Sequence, residues 1–135
     1  MATAALQHAP GTKRATVAGW ILSGIVILFL ALDGGMKLVP IQPVTDTMRS
    51  LGWPTDPVLM RVLGVLILVP TLLYAIRRTA LIGAILLTAF LGGAVATQVR
   101  IAAPLFSHVL FGVYLGLILW IGLWLREPRL RALFA

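Results

Sequence analysis

VLMRVLGVLILVPTLLYAIRRTALIGAILLTAFLGGAVATQV, residues 58–99, consists of two apolar runs with two arginines between them. Each run has close to the length, about 20 residues, that a helix needs to cross about 30 Å of hydrocarbon. Neither run alternates polar and apolar residues, which disfavours the strands of a β-barrel. Because backbone groups inside lipid have to bond within their own segment, the stretch predicts two antiparallel membrane helices joined by a tight turn.

Two further apolar runs flank this pair, at residues 16–38 and 106–125. The sequence therefore predicts an all-α integral membrane four-helix bundle, with its second helix kinked at Pro70. The first run follows Lys13 and Arg14, as in a signal peptide, but residues 28–32 before Asp33 read LFLAL and fit the alternating small residues of a cleavage site poorly. We therefore expect a retained helix. The predicted organisation is a cytoplasmic tail (1–15), a membrane domain (16–126) and a basic cytoplasmic tail (127–135).

The composition agrees with a membrane protein. Of the 135 residues, 60% are hydrophobic and 11% are charged, whereas soluble domains average about 25% charged residues. The absence of cysteine excludes disulfides, thiol catalysis and Cys-based metal sites within this chain. The net charge is +7, but the basic residues flank apolar runs. The lipid bilayer is therefore the expected partner, and no nucleic acid is expected.

Lysine and arginine in the short loops predict the orientation. Seven lie at one end of the predicted bundle, at positions 13, 14, 77, 78, 126, 129 and 131, and four at the other, at positions 37, 49, 61 and 100. The more basic end of a membrane protein usually faces the cytoplasm. We therefore expect both termini on the cytoplasmic side. In the cytoplasmic half of the bundle, we expect the flanking arginines to be the only polar groups.

Polar residues near the helix ends form one layer on the predicted non-cytoplasmic side. Because intramembrane ionisable groups are costly and usually face the bundle interior, we predict a ligand site formed by Asp33, Lys37, Arg61, Gln98, Arg100 and His108. The excess of positive charge favours an anionic or carbonyl-rich ligand. The same residues also have structural explanations. Asp33 can form a structural salt bridge, the cations can snorkel to the lipid headgroups, and His108 can bond within its loop. One carboxylate and one histidine are too few ligands for a metal.

Small residues spaced four apart predict close helix contacts. Gly34 and Gly35 are expected to admit a neighbouring helix or a ligand near Asp33. Gly112 and Gly116 are expected to face another helix of the same chain.

Four segments together resemble the DoxX-like family of small bacterial membrane proteins: LDGGMKLV (32–39), RVLG (61–64), PTLLYAIRRTALIGAILLTAFLGGAVATQVR (70–100) and LFGVYLGLILWIGLWLREPRLRALF (110–134). The resemblance implies a four-helix bundle in the bacterial cytoplasmic membrane. The family is named after a small subunit of a quinone-linked sulfur-oxidising system, and most members have no established activity. Relatives often carry glutamate at the position of Ile67 and histidine at that of Gln98, so this chain lacks that polar pair.

Three functions remain open at this point. The first is a membrane binding protein or accessory subunit with a quinone or lipid ligand. The second is a quinone-linked oxidoreductase component, whose electron donor a membrane or peripheral redox partner would supply. The third is a small-molecule carrier. The sequence contains no catalytic motif, and a homo-oligomer is compatible with it.

Overall fold

A computed structural model of the chain describes residues 10–39 and 42–134, and these ranges contain helices and no strand. In chain order the elements are α1 (Pro10–Leu38), α2 (Gln42–Ser50), α3 (Pro57–Ala75), α4 (Ala80–Arg100), a π-helical turn (Leu105–Val109), α5 (Phe111–Arg126) and α6 (Pro128–Ala132). The predicted all-α fold is confirmed.

Four helical segments are long and apolar enough to cross a membrane. They are Lys13–Leu38, Pro57–Ala75, Ala80–Arg100 and Leu105–Arg126. Their outward faces carry exposed leucine, isoleucine, valine and phenylalanine side chains, as expected for surfaces that contact lipid. The predicted four-helix membrane bundle is confirmed, and the chain is a multi-pass membrane protein.

Local sequence fixes the ends of α3. Asp56 is its N-cap, with Oδ1 accepting a hydrogen bond from the Val58 amide at 3.0 Å, and Pro57 fits the first turn because its missing N–H is not needed there. At the other end, the Thr79 hydroxyl donates to the Leu73 carbonyl at 2.8 Å and closes the turn into α4. The predicted tight turn is present. Helix α3 continues through Pro70, and the kink there stays a prediction.

The four long helices form a ring. Helices α1 and α4 each pack against both α3 and α5. The shared core consists of apolar residues from all four helices, including Val26, Ile67, Leu87 and Leu119, each with no exposed surface. Ile67 therefore occupies a dry core position in this chain.

The glycine predictions for α5 are half right. A Cβ placed on Gly112 would lie 2.8 Å from Val95 Cγ2, so this glycine packs against α4, whereas a Cβ on Gly116 would meet nothing within 4 Å. The buried stripe of α5 passes through Gly112, Leu115 and Leu119. This spacing turns Gly116 away from α4, and its predicted contact is wrong.

The segments outside the spans differ from simple tails. Helix α1 begins at Pro10, inside the predicted tail 1–15, while residues 1–9 lie outside the described residues. At the other end, Glu127 and Leu130 are 5% exposed, and α6 packs Leu130 into the core.

The start of the fourth span is not a regular α-helix. After Pro104 the chain makes a π-helical turn before α5.

Candidate functional site

A cavity of about 440 Å³ lies at the end of the bundle where α1 and α4 finish. Helices α1, α3 and α4 form its walls, while α2 and the following loop cover it. Residues from all these parts line it, among them Asp33, Lys37, Met48, Trp53, Thr97 and Gln98. The cavity is mostly apolar with a few polar groups, which is the usual character of a small-molecule site, and its size is in the usual range of about 300–1,000 Å³.

A close helix crossing places the charged pair of the cavity. Gly34 of α1 meets α3 at Gly64: a Cβ placed on Gly64 would lie 2.8 Å from the Gly34 carbonyl oxygen and 3.2 Å from Lys37 Cβ. Side chains on both residues would hold the helices apart. Gly34 thus admits a neighbouring helix, as predicted, and this approach brings Asp33 and Lys37 to the cavity wall. The same prediction is wrong for Gly35, because a Cβ there would meet nothing within 4 Å among the described residues.

Asp33 and Lys37 form an ion pair along α1. Lys37 Nζ lies 2.8 Å from Asp33 Oδ1, and the Lys37 side chain is 16% exposed. The four-residue spacing places both groups on one helical face. The pair is electrically balanced, and the ammonium group has further N–H donors to offer beyond its bond to Asp33.

Helix α4 contributes Gln98 and Thr97 to the opposite wall. The Gln98 side-chain oxygen Oε1 is buried and has no hydrogen-bond donor among the described residues. The Thr97 hydroxyl donates to the Gly93 carbonyl at 2.9 Å within the same helix. An unpaired buried oxygen is costly, about 1–3 kcal/mol. Gln98 thus places a hydrogen-bond acceptor without a donor beside the cavity.

Three of the six predicted site residues are not part of the cavity lining. Arg61 is exposed, and its Nε donates to the Leu38 carbonyl at 3.2 Å, at the end of α1. Arg100 donates to the Leu51 carbonyl at the end of α2. His108 is exposed in the π-helical turn, with Nδ1 2.7 Å from the Ser107 hydroxyl. The structure thus brings together Asp33, Lys37 and Gln98 and leaves the other three at the rim or outside.

This placement changes the charge of the site. The expected positive excess came from Arg61 and Arg100, which bind the carbonyls of Leu38 and Leu51 and do not themselves line the cavity. The cavity itself holds one carboxylate and one ammonium group, which pair with each other. The lining itself therefore carries no net charge, which suits an uncharged ligand with hydrogen-bonding groups.

The cover of the cavity comes from α2. Met48 is 3% exposed, and Met48 and the following Leu51 both line the cavity. Asp46 and Arg49 lie on the outer side and pair at 3.4 Å. Trp53 follows through a turn in which its amide donates to the Met48 carbonyl at 3.0 Å. The position of α2 over a cavity depends on how α1, α3 and α4 pack.

The opposite end of the bundle contains more than flanking arginines, which corrects the sequence-based expectation. Arg126 is 2% exposed, and its Nη2 donates to the Tyr74 carbonyl at 2.6 Å. Its guanidinium carbon lies 4.2 Å from the Trp20 ring centroid and 4.7 Å from that of Tyr74. Such cation–π contacts stabilise a desolvated arginine. Nε and Nη1 of Arg126 have no acceptor among the described residues.

Comparison with known proteins gives one match. No curated protein and no solved structure matches this chain significantly. The sequence profile of the DoxX-like family matches residues 21–122, a range that begins within α1 and ends within α5. Because the match extends across all four spans and the cavity, the chain belongs to the DoxX-like family.

Proposed function

We propose that this protein binds an amphipathic ligand with a polar oxygen function on an apolar body, such as a quinone or an acyl lipid, in the cavity beside Gln98. It would act as a binding or accessory subunit in the bacterial cytoplasmic membrane, with the cavity in the non-cytoplasmic half. The buried Gln98 oxygen without a donor is the observation that carries the proposal.

The polar groups suit such a ligand. Lys37 can donate to a ligand carbonyl while it keeps its bond to Asp33. Gln98 Oε1 can accept from a ligand hydroxyl. The remaining walls, which include Leu63, Leu66 and Phe90, are apolar and fit a ring or an acyl chain. The balanced ion pair gives no net attraction for an anion.

Binding is favoured over transport by the packing below the cavity. A carrier needs a polar path to both sides of the membrane. Here Ile67, Leu87 and Leu119 have no exposed surface and fill the centre of the bundle. A quinone-linked oxidoreductase would use the same cavity, with electrons supplied by a membrane or peripheral partner.

Mass spectrometry of organic extracts from the purified chain tests the proposal and distinguishes a quinone from a lipid. We expect a stoichiometric ligand with wild type, and loss of most of it with Gln98→Ala. Val99→Ala is the matched control, because Val99 is 58% exposed on the same helix and does not line the cavity. Equal ligand content in all three proteins, or equal loss in both variants, would contradict a site at Gln98.

A further inference from the structure

A second cavity, of about 210 Å³, lies at the opposite end of the bundle from the Gln98 cavity. The α3–α4 turn, the start of α4, the end of α5 and α6 form it. Arginines and leucines share its lining, chiefly Arg77, Arg78, Arg129, Leu81, Leu123 and Leu130. Basic side chains thus lie beside an apolar wall, at the level where membrane spans end.

The charge of this second cavity is positive. Its three arginines face one carboxylate, that of Glu127, which leaves a net charge of +2 from three positive and one negative group. Glu127 pairs with Arg129 at 3.0 Å and with Arg77 at 3.6 Å. Burial tends to raise the pKa of Glu127, but the two arginines outweigh burial and lower it. Arg78 makes no ion pair within the described residues.

The start of α4 adds backbone donors to the same place. Thr79 precedes α4, but its hydroxyl bonds to the Leu73 carbonyl and does not cap the helix. The first-turn amides of α4 therefore have no side-chain acceptor among the residues that the structure describes, and Leu81 of that turn lines the cavity. Free amides at a helix N-terminus favour an anion, which reinforces the attraction of the arginines.

We propose that this second cavity binds the phosphate of an anionic phospholipid. Basic pockets between membrane helices are suited to such headgroups. The phosphate would lie near Arg78 and the start of α4, and the acyl chains would follow the leucine wall. A lipid explains the apolar half of the cavity, which a free phosphate would leave without a role. The neighbouring Leu133 and Phe134 are 67% and 73% exposed, which suits an apolar membrane environment.

The test is native mass spectrometry of the delipidated full chain in detergent, titrated with dioleoylphosphatidylglycerol. Arg78→Gln should weaken binding about fivefold, the factor that corresponds to about 1 kcal/mol for one basic residue. Arg14→Gln is the matched control: Arg14 is also exposed at this end of the bundle but does not line the second cavity. Arg78 makes no ion pair in the described chain, so melting in detergent should stay unchanged.

Each other outcome would overturn the assignment. Equal weakening by both variants would mean that the lipid does not prefer this cavity over other basic residues of the same end, such as Arg14 in its own groove. Equal binding of dioleoylphosphatidylcholine would remove the role of negative charge. Displacement of the lipid by inorganic phosphate at the same concentration would show that the acyl chains contribute nothing and that free phosphate is the ligand. Arg77→Gln, tested alongside, should also weaken binding of dioleoylphosphatidylglycerol. If neither Arg77→Gln nor Arg78→Gln changed the binding, the site would be excluded.

Discussion

At the scale of single residues, the Tyr74 hydroxyl connects three helices. It donates to the Leu119 carbonyl of α5 at 2.7 Å and lies 2.9 Å from the Ser23 hydroxyl of α1, which can donate to it in turn. Tyr74 itself belongs to α3 and has no exposed surface. A polar group at this depth has no water to bond, so the tyrosine and the serine satisfy each other.

Tyr74→Phe should lower the free energy of unfolding by about 1–2 kcal/mol, because it removes two hydrogen bonds worth about 0.5–1.5 kcal/mol each. The ring stays, so the contact with Arg126 is kept. Equilibrium unfolding in mixed detergent micelles measures the change. Tyr114→Phe is the control: its hydroxyl also bonds a carbonyl, that of Phe106 at 3.0 Å, but Tyr114 is 41% exposed. Equal losses in the two variants would contradict the three-helix role.

Single-residue predictions from the sequence succeeded where the contact was local. Asp33 and Lys37 are four apart on one helix and form an ion pair, so the structural salt bridge that the sequence left open as an alternative is present. Arg61 and Arg100 bind carbonyls at the ends of other helices. Those acceptors exist only once α1 and α2 are in place, and periodicity does not reveal them. Arg126 resembled any flanking arginine because its aromatic partners lie on α1 and α3.

At the scale of elements, α3 and α4 pack through a glycine. A Cβ placed on Gly83 would lie 2.7 Å from the Pro70 carbonyl oxygen and would also collide with the Tyr74 amide. Both obstacles are backbone, which cannot rotate away as a side chain can. Proline at position 70 leaves the backbone around it without one regular helical bond, and α4 covers this part of α3 directly.

Gly83→Ala should therefore destabilise the bundle by about 1–3 kcal/mol, the usual cost of overpacking. Gly92→Ala, in the same helix, is the control, since a Cβ there would meet nothing within 4 Å. Alanine is the better helix former by about 1 kcal/mol, so the control should be neutral or more stable. Thermal melting in detergent distinguishes the two variants. An unchanged melting temperature for Gly83→Ala would mean that α3 and α4 are less closely packed than described.

The sequence predicted the helical elements well and their details less well. Span length and hydrophobicity gave all four membrane helices, because lipid leaves a helix few alternatives. The π-helical turn at Leu105–Val109 was not expected, since its residues are as apolar as those of a regular helix. The rotation of α5, which decides between Gly112 and Gly116, depends on its contacts with α4 and was not available from the spacing of two glycines.

At the scale of the whole molecule, the charges divide between the two ends. The end with Arg77, Arg78 and Arg129 also holds the buried Arg126, whereas the other end holds the balanced Asp33–Lys37 pair and the covered cavity. Burial of Arg126 removes one cation from the loop charges that set orientation. The exposed cations at that end still outnumber those at the Gln98 cavity end, so the expected orientation is unchanged.

We predict that both termini and the α3–α4 turn face the cytoplasm. The chain has no cysteine, so single cysteines can be introduced at Thr47, Ala103, Arg78 and Ala132. Thr47 and Ala103 lie outside the four spans at the Gln98 cavity end, and Arg78 and Ala132 lie outside the spans at the other end. A membrane-impermeant maleimide added to intact cells should label Thr47→Cys and Ala103→Cys only, and cell lysis should add the other two. Labelling of Arg78→Cys in intact cells would contradict this prediction. It would mean that the chain has the opposite orientation, with the Gln98 cavity on the cytoplasmic side.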